Sequence, residues 1–239
     1  MVGSVVLVHG HMHGAWCWEK VVDGLAALGV KAIAVDLPGR GANKDREIGL
    51  PESLKIIDEA ISALDGPIVL CGHSSAGVPI SWAATQNDRI SDVVYVAAIL
   101  PLEDERMAGV MEAKMKQVGH RMRFENGYST VASFQDAVDM MYDDCTPHDA
   151  RRAFDRLIPE PFSGMPEPDG ATSIAPWEHA RMTYVICARD ASFAAEHQRV
   201  IAARAHNAVE WPTGHSPWLS QPQLCIDLLA RIAAAATAR

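Results

Sequence analysis

The sequence lacks any apolar run close to the roughly 20 residues that a membrane-spanning helix needs. It also runs into its first strand-like segment at Val5 without a preceding basic stretch, so we expect no signal peptide. Basic residues are outnumbered: 21 lysines and arginines stand against 30 aspartates and glutamates, a formal net charge of −9. Nucleic acids and anionic membranes require basic patches, so we expect neither as a partner.

Cysteines are few and show no pairing pattern. The five are odd in number, widely scattered and without a Cys-x-x-Cys pair. This favours reduced, mostly buried thiols over a disulfide framework or a zinc site, and it predicts a cytoplasmic location. The residues are Cys17, Cys71, Cys145, Cys187 and Cys225.

Short β-branched runs alternate with helical patterns along most of the chain. The runs cover residues 5–8, 32–35, 68–71, 93–97 and 184–187. They are continuously apolar, as expected for parallel strands covered on both faces. Helices are predicted over residues 16–28, 53–64 (with Ser53 as cap) and 223–236. Together these patterns predict an α/β fold, with a mostly parallel central sheet flanked by helices.

This alternation breaks between residues 101 and 176. Helices are predicted there at 107–118 and 134–141, and a proline-rich loop at 159–170, with no run as strand-like as the earlier ones. We therefore predict a core of residues 1–100 and 177–239, and a mainly helical lid formed by residues 101–176. Such a lid would cover the carboxyl ends of the strands, where open α/β sheets bind ligands.

The segment Gly72-His-Ser-Ser-Ala-Gly77 follows a strand-like run and precedes a helical one. This context predicts a nucleophile elbow, in which a serine lies on a sharp turn flanked by small residues. The glycine spacing centres on Ser74 rather than Ser75, and Ala76 takes a place that is usually glycine. The alternative is an ordinary strand–turn–helix junction with a serine as helix cap.

A serine nucleophile needs a base that a third group orients. His215 lies in a turn-rich loop after the last strand-like run, and Asp190 lies in the loop that follows the run at 184–187. The chain order Ser74, Asp190, His215 is that of an α/β-hydrolase triad. A surface-loop histidine is the alternative for His215. Asp36 is the rival carboxylate, but it precedes the serine, and we expect it to shape a turn.

The loop His9-Gly-His-Met-His-Gly14 follows the first strand-like run. Its alternating histidines allow a metal site, but no downstream ligand set completes one. We predict an oxyanion loop, in which the backbone N–H groups of His11 and Ser75 stabilise a developing negative charge. His9 is expected to hold the loop by hydrogen bonds.

Three segments resemble the plant methylesterase and hydroxynitrile lyase family of α/β-hydrolases. Residues 8–18 are similar to its HGxxHGxWxW opening, residues 36–42 to its DLxxxGx turn, and residues 141–145 to its lid motif. Asp190 and His215 fall where the family's acid and base lie. The resemblance implies a cofactor-free hydrolase of small-molecule esters with a mainly apolar pocket. Family members often dimerise, so a homodimer is one expectation.

The lyase branch of that family has threonine at the position of Gly10 and lysine at that of Ser216. Both are absent here, which favours ester hydrolysis over the lyase reaction. The resemblance then implies a small, apolar or aromatic methyl-type ester as substrate, cleaved through an acyl-enzyme. A hydroxynitrile lyase, another C–C-cleaving or biosynthetic enzyme, and a small-molecule receptor with negligible turnover stay open as alternatives.

Overall fold

The computed structural model describes residues 2–100, 116–161 and 178–236. The described strands are β1 (Ser4–Val8), β2 (Ala32–Val35), β3 (Ile68–His73), β4 (Ile90–Val96), β5 (Met122–Glu125), β6 (Tyr128–Val131), β7 (Glu160–Pro161), β8 (Arg181–Cys187) and β9 (Asn207–Trp211). The described helices are α1 (Glu19–Ala27), α2 (Leu50–Ser62), α3 (Gly77–Gln86), α4 (Phe134–Ala137), α5 (Pro147–Phe154), α6 (Ala195–Ala202), α7 (Pro217–Ser220) and α8 (Pro222–Ala236).

Six strands form the central sheet in the order β2-β1-β3-β4-β8-β9, and every neighbouring pair is parallel. Alternate side chains of the buried strands enter two separate clusters. Val6 and Leu70 pack in the cluster that contains α2 and α3, whereas Val5 and Val69 pack in the one that contains α1 and α8. Helices on both faces explain why these strands are continuously apolar. The predicted fold class is confirmed.

The predicted boundaries hold for β2, whereas others need correction. Strand β3 ends two residues after the prediction, at His73, and β8 begins three residues before it, at Arg181. Strand β4 begins at Ile90, three residues before the prediction, and ends before Ala97, whose φ is +44°. Helix α2 begins at Leu50, so Ser53 is not its cap. The Ser53 hydroxyl instead donates to the Gly49 carbonyl within the first turn. Pro51 sits in that turn, where a missing N–H costs nothing.

We call residues 101–176 the insertion; its described part, residues 116–161, contains a small sheet that was not predicted. Strands β5, β6 and β7 pair antiparallel. A two-residue turn of Asn126 and Gly127, with φ of +52° and +80°, joins the first two. The predicted helix 134–141 is found as α4 followed by a π-helical turn, Val138–Tyr142. The helix at 107–118 and the loop at 159–170 lie largely outside the described residues, and the lid assignment stays a prediction.

Among the helices of the described ranges, none is both long and apolar enough to cross a membrane. All five cysteines are free, and four of them are buried. This confirms the prediction of unpaired, mostly buried thiols.

Candidate active site

Ser74 occupies the sharp turn between β3 and α3. Its φ is +54°, in the left-handed region that costs a non-glycine residue energy, and its side chain is buried. The carbonyl of Ser74 accepts a 2.9 Å hydrogen bond from the N–H of Ile99. The turn is therefore held from the loop that follows β4, and it has the geometry expected of a nucleophile elbow.

The small residues around Ser74 are needed because other atoms fill the space beside them. A Cβ on Gly72 would lie 2.7 Å from Ile80 Cδ1, and one on Gly77 would lie 1.7 Å from the Ile99 carbonyl oxygen. The backbone of Ile99 therefore occupies the space beside Gly77, where a larger residue would clash. Ala76 itself fits and is buried.

His215 and Asp190 form a buried pair. His215 Nδ1 lies 2.7 Å from Asp190 Oδ2, and both side chains are almost fully buried. Since the carboxylate accepts, the proton lies on Nδ1, which leaves Nε2 of a neutral imidazole as a base. The structure thus brings together two of the predicted residues, which are 25 positions apart in the chain.

Asp190 is held in place by three further donors. Its Oδ1 accepts the backbone N–H groups of Ser192 at 2.7 Å and Phe193 at 2.8 Å. Its Oδ2 also accepts from Gln198 Nε2 at 2.9 Å, and Gln198 is fully buried on α6. The Gln198 Oε1 accepts the N–H of Cys187 at 2.9 Å. Sequence reasoning missed Gln198, because nothing in its surroundings separates it from an ordinary helix residue.

His73 connects the loop that carries His215 to the turn that carries Ser74. Its Nε2 lies 2.8 Å from the His215 carbonyl oxygen, so Nε2–H donates, and the two rings are 4.5 Å apart. The residue directly before Ser74 therefore fixes the backbone of the residue that would act as its base. The sequence offered no sign of this contact.

In the first loop, His9 and His13 each make hydrogen bonds within the protein through both ring nitrogens. His9 Nδ1–H donates to the Gly10 carbonyl at 2.9 Å, and Nε2 accepts the N–H of Leu37 at 3.0 Å. His13 Nδ1–H donates to the His11 carbonyl at 2.7 Å, so Nε2 accepts from the Tyr142 hydroxyl at 2.8 Å. Burial lowers the pKa of His9 to about 4 and that of His13 to about 3.

These contacts bear on the metal interpretation of the loop. The ring nitrogens of His9 and His13 are committed to the protein itself. Within the described ranges, no group of three or more histidine, cysteine or acidic side chains is arranged to hold a metal ion. The expectation that His9 holds the loop by hydrogen bonds is confirmed.

Met12, in the middle of this loop, is clamped by the insertion. Its φ is +63°, its N–H donates to Glu160 Oε2 at 2.8 Å, and its carbonyl accepts the N–H of Ile158 at 3.0 Å. Glu160 also pairs with Arg40, which is 2% exposed. Residues of the insertion therefore fix the conformation of the predicted oxyanion loop. Neither Glu160 nor Arg40 was predicted.

The insertion also contacts the loop that carries His215. Asp144 Oδ2 accepts the N–H of Gly214 at 2.8 Å and the Ser220 hydroxyl at 3.0 Å. Tyr142, two residues earlier, contacts His13 as described above. The segment that resembles the family's lid motif thus touches both loops that flank Ser74.

A cavity of about 340 Å³ lies over Ser74. His215, His11 and Ser75 line it, so the structure brings the predicted nucleophile, base and oxyanion donors to one space, with Asp190 behind His215. Most of the other walls are apolar: Met12, Leu37, Pro38, Ile48, Leu50, Val78, Pro79, Ile99, Val118, Met122, Phe124, Met140 and Met141. Its volume falls within the range of small-molecule sites.

Asp36, the rival carboxylate, shapes a turn as expected. Its Oδ1 accepts the N–H of Ala15 at 2.8 Å and its Oδ2 that of Ala42 at 3.3 Å. A Cβ on Gly41 would lie 2.0 Å from the same carboxylate. Asp36 is not among the residues that line the cavity.

Comparison with known proteins agrees with this geometry. The probable esterase PIR7A of rice (Oryza sativa subsp. indica) is 36% identical over 119 residues, 47% of this chain and 45% of that protein. Methyl jasmonate esterase 1 of Vitis vinifera is 29% identical over 247 residues, 94% of this chain and 93% of that one. The chain spans about half the length of the curated relatives that it matches at the highest identity. The resemblance to plant esterases is confirmed.

A solved structure of polyneuridine aldehyde esterase superposes with a TM-score of 0.84. The superposition covers 98% of this chain and all of that one, at 24% identity, which shows a shared fold. The model of the alpha/beta hydrolase family matches residues 5–228. Because that match runs from the first strand into the last helix, this chain belongs to the α/β-hydrolase family.

Proposed function

We propose that this chain hydrolyses carboxylic esters, with Ser74 as nucleophile, His215 as base and Asp190 as the acid that orients the base. The observation that carries the proposal is the buried pair of His215 and Asp190, whose Nδ1 and Oδ2 atoms are 2.7 Å apart. His215 lines the same cavity as Ser74, which lies on a sharp turn with a φ of +54°. The esterase names of the plant relatives support the same reaction class.

In the first step His215 Nε2 takes the proton of Ser74 as its oxygen attacks the ester carbonyl. The carbonyl π electrons move to oxygen, and the backbone N–H groups of His11 and Ser75 stabilise that oxyanion. Asp190 stabilises the imidazolium through Nδ1–H. The intermediate then collapses, the ester C–O bond breaks, and His215 gives its proton to the leaving alcohol.

In the second step water attacks the acyl-enzyme. His215 takes a proton from the water, a second oxyanion forms against the same two N–H groups, and Ser74 leaves with the proton from His215. The acid product is released and the chain returns to its starting state. Apart from the ester and water, the proposed steps use only groups of this chain.

The walls of the cavity support a small, apolar or aromatic methyl-type ester. Met140 and Met141 from the insertion and Val78 and Pro79 from α3 contribute apolar surface to the cavity. We propose that the insertion acts as the lid of this cavity. Its residues hold both Met12, which lines the cavity, and Gly214, which precedes His215 in the chain.

A screen of methyl, aryl and lactone esters tests the proposal, with two variants as a matched pair. Ser74→Ala should lower kcat by about a thousandfold or more. Ser75→Ala should stay within a few fold of wild type, because its proposed role uses only the backbone N–H. Equal activity of wild type and Ser74→Ala would refute the nucleophile. Absence of ester turnover together with absence of fluorophosphonate labelling of Ser74 would instead favour a receptor.

Two features disfavour a hydroxynitrile lyase. Ser216 follows the base, is fully buried and is not a residue of the cavity wall. A Cβ on Gly10 would lie 2.9 Å from both the His73 carbonyl oxygen and Ser74 Cβ, which leaves no room for a threonine. Cyanide release from mandelonitrile at a rate above that of ester cleavage would reverse this conclusion, and product analysis of the esters would reveal a biosynthetic transfer.

We propose that the chain works in the cytoplasm. Its five free cysteines support this, because reducing compartments keep thiols unpaired. Fractionation of the source cells with an antibody to the chain tests it, and recovery with secreted proteins would contradict it.

A further inference from the structure

The Glu160 carboxylate lies in the wall of the cavity and uses one oxygen for its contacts with the protein. Oε2 accepts the N–H of Met12 at 2.8 Å, pairs with Arg40 Nη2 and lies 3.8 Å from His11 Nδ1. Among residues 2–100, 116–161 and 178–236, all three of these contacts are made by Oε2 and none by Oε1. The side chain is 25% exposed and lines the cavity.

Glu160 carries its negative charge at neutral pH. Burial alone would raise its pKa, but the charges of His11 and Arg40 and the hydrogen bond from Met12 together lower the pKa below its usual value. Arg40 is almost fully buried, so the ion pair fixes the position of the carboxylate. An anionic oxygen is therefore presented at a fixed place in a mainly apolar cavity.

Such an oxygen needs a hydrogen-bond donor, because a charged acceptor that loses water without a replacement is costly. Two neighbouring polar groups of the described residues contact other atoms. His11 Nε2 contacts Ser129 Oγ at 2.9 Å, and Ser129 in turn donates to the Glu160 carbonyl at 3.3 Å. A hydroxyl group of a bound molecule is a donor of the kind that this oxygen requires.

The place of this oxygen relative to the reaction follows from the backbone. Glu160 binds the N–H of Met12, and the proposed oxyanion donor is the N–H of His11, the preceding residue. Consecutive Cα atoms are about 3.8 Å apart, so the carboxylate is bound one backbone position away from the proposed oxyanion donor. A donor group on the α or β carbon of an acid whose carbonyl oxygen meets His11 N–H is therefore within reach of Glu160.

We propose that Glu160 Oε1 selects esters whose acid part carries a hydroxyl on the α or β carbon. The inference rests on the proposed ester hydrolysis. A hydroxyl that donates to a carboxylate makes a strong, charge-assisted hydrogen bond. A site built for that donor rejects analogues without it, so we expect a preference of about ten- to a hundredfold in kcat/KM.

Matched methyl esters test the selection. Methyl mandelate is compared with methyl phenylacetate and with methyl α-methoxyphenylacetate, and methyl 3-hydroxy-3-phenylpropanoate with methyl 3-phenylpropanoate. The wild type should prefer the hydroxy ester in at least one pair, and it should disfavour the methoxy ester, which accepts but does not donate. Equal kcat/KM within about twofold in both pairs overturns the inference, since a charge-assisted hydrogen bond is worth more than that.

Glu160→Gln supplies the sharper comparison. The donors on Met12 and Arg40 require an acceptor, so the amide oxygen should take the place of Oε2 and turn the NH₂ group toward the cavity. Hydroxy selectivity should then fall, and the methoxy ester should become a better substrate than before. Glu210→Gln, on an exposed ion pair with Arg199, is the matched control and should leave all ratios unchanged.

The outcomes separate this inference from the proposed function. Turnover of every ester without hydroxy selectivity overturns the role of Glu160 and leaves Ser74 chemistry standing. Absence of Ser74-dependent turnover of any ester refutes the proposed function, and the selection with it. A uniform loss of activity in Glu160→Gln, with ratios retained, assigns Glu160 to anchoring the Met12 loop and contradicts selection.

Discussion

The carboxylate of Asp144, in the insertion, accepts a 2.8 Å hydrogen bond from the N–H of Gly214, the residue directly before His215. A Cβ on Gly214 would lie 2.2 Å from Asp143 Oδ1, so the two segments pack in direct contact. The position of the proposed base therefore depends on a part of the chain that contributes none of the triad.

Replacing Asp144 by alanine should remove this anchor. The N–H of Gly214 loses its acceptor, so we expect the free energy of unfolding to fall by about 1–3 kcal/mol. Ester kcat/KM should fall by about tenfold or more, because small misplacements of a catalytic group are costly. Urea denaturation and ester kinetics measure the two effects. Asp155→Ala, at an exposed ion pair with Arg151, is the control; unaltered kcat/KM in a folded Asp144→Ala would refute the coupling.

Gln198 should act as a positioning residue for Asp190. Gln198→Met removes one donor to Asp190 and leaves the N–H of Cys187 unpaired, so both stability and kcat should fall, kcat by about tenfold. KM should change little, because Gln198 does not line the cavity.

Ile201→Ala is the matched control for Gln198→Met, since Ile201 is buried on the same helix. It should lose stability by about 2–5 kcal/mol but keep its kcat at temperatures where both variants are folded. An equal loss of kcat in the two variants would show that Gln198 contributes only to stability.

Gly10→Ala should displace the oxyanion loop. The added Cβ would lie 2.9 Å from the His73 carbonyl oxygen, closer than real Cβ contacts allow, so the loop must shift away from Ser74. We expect kcat to fall by about ten- to a hundredfold. Gly29→Ala is the control: its φ is +74° and its Cβ would meet nothing within 4 Å, so about 1 kcal/mol of stability is lost while kcat is retained. Full activity of Gly10→Ala would argue against the predicted donor on His11.

Stability should fall as the solution is acidified, partly through His13. Burial lowers the pKa of His13 from 6.5 to about 3, so between these values the unfolded chain binds a proton there that the folded chain does not. Its contribution is therefore complete above pH 6.5 and is lost as pH falls, at up to about 1.4 kcal/mol per pH unit. His13→Gln should flatten this slope, measured by urea denaturation from pH 7 to pH 5. The exposed His148→Gln should not, and an equal slope in both variants would contradict the prediction.

Much of the architecture was readable from local residue patterns. Continuous apolar runs indicated the parallel strands, and the small residues around Ser74 indicated the turn, because both reflect short-range constraints on backbone and side-chain packing. The missed hairpin at Asn126-Gly127 also had a local signal, the two-residue turn, but its strands are too polar to stand out. The capping role given to Ser53 was wrong because proline lets α2 begin one turn earlier.

The sequence by itself determined the fold class, the turn that presents Ser74 and the chain order of the candidate triad. Only the tertiary structure decided which side chains support them: Gln198 behind Asp190, Glu160 on Met12 and Asp144 on Gly214. Glu160 and Asp144 join residues far apart in the chain, and Gln198 meets Asp190 only because α6 packs behind β8. Each uses an ordinary polar residue whose meaning depends on its partner, so no local pattern carries the information.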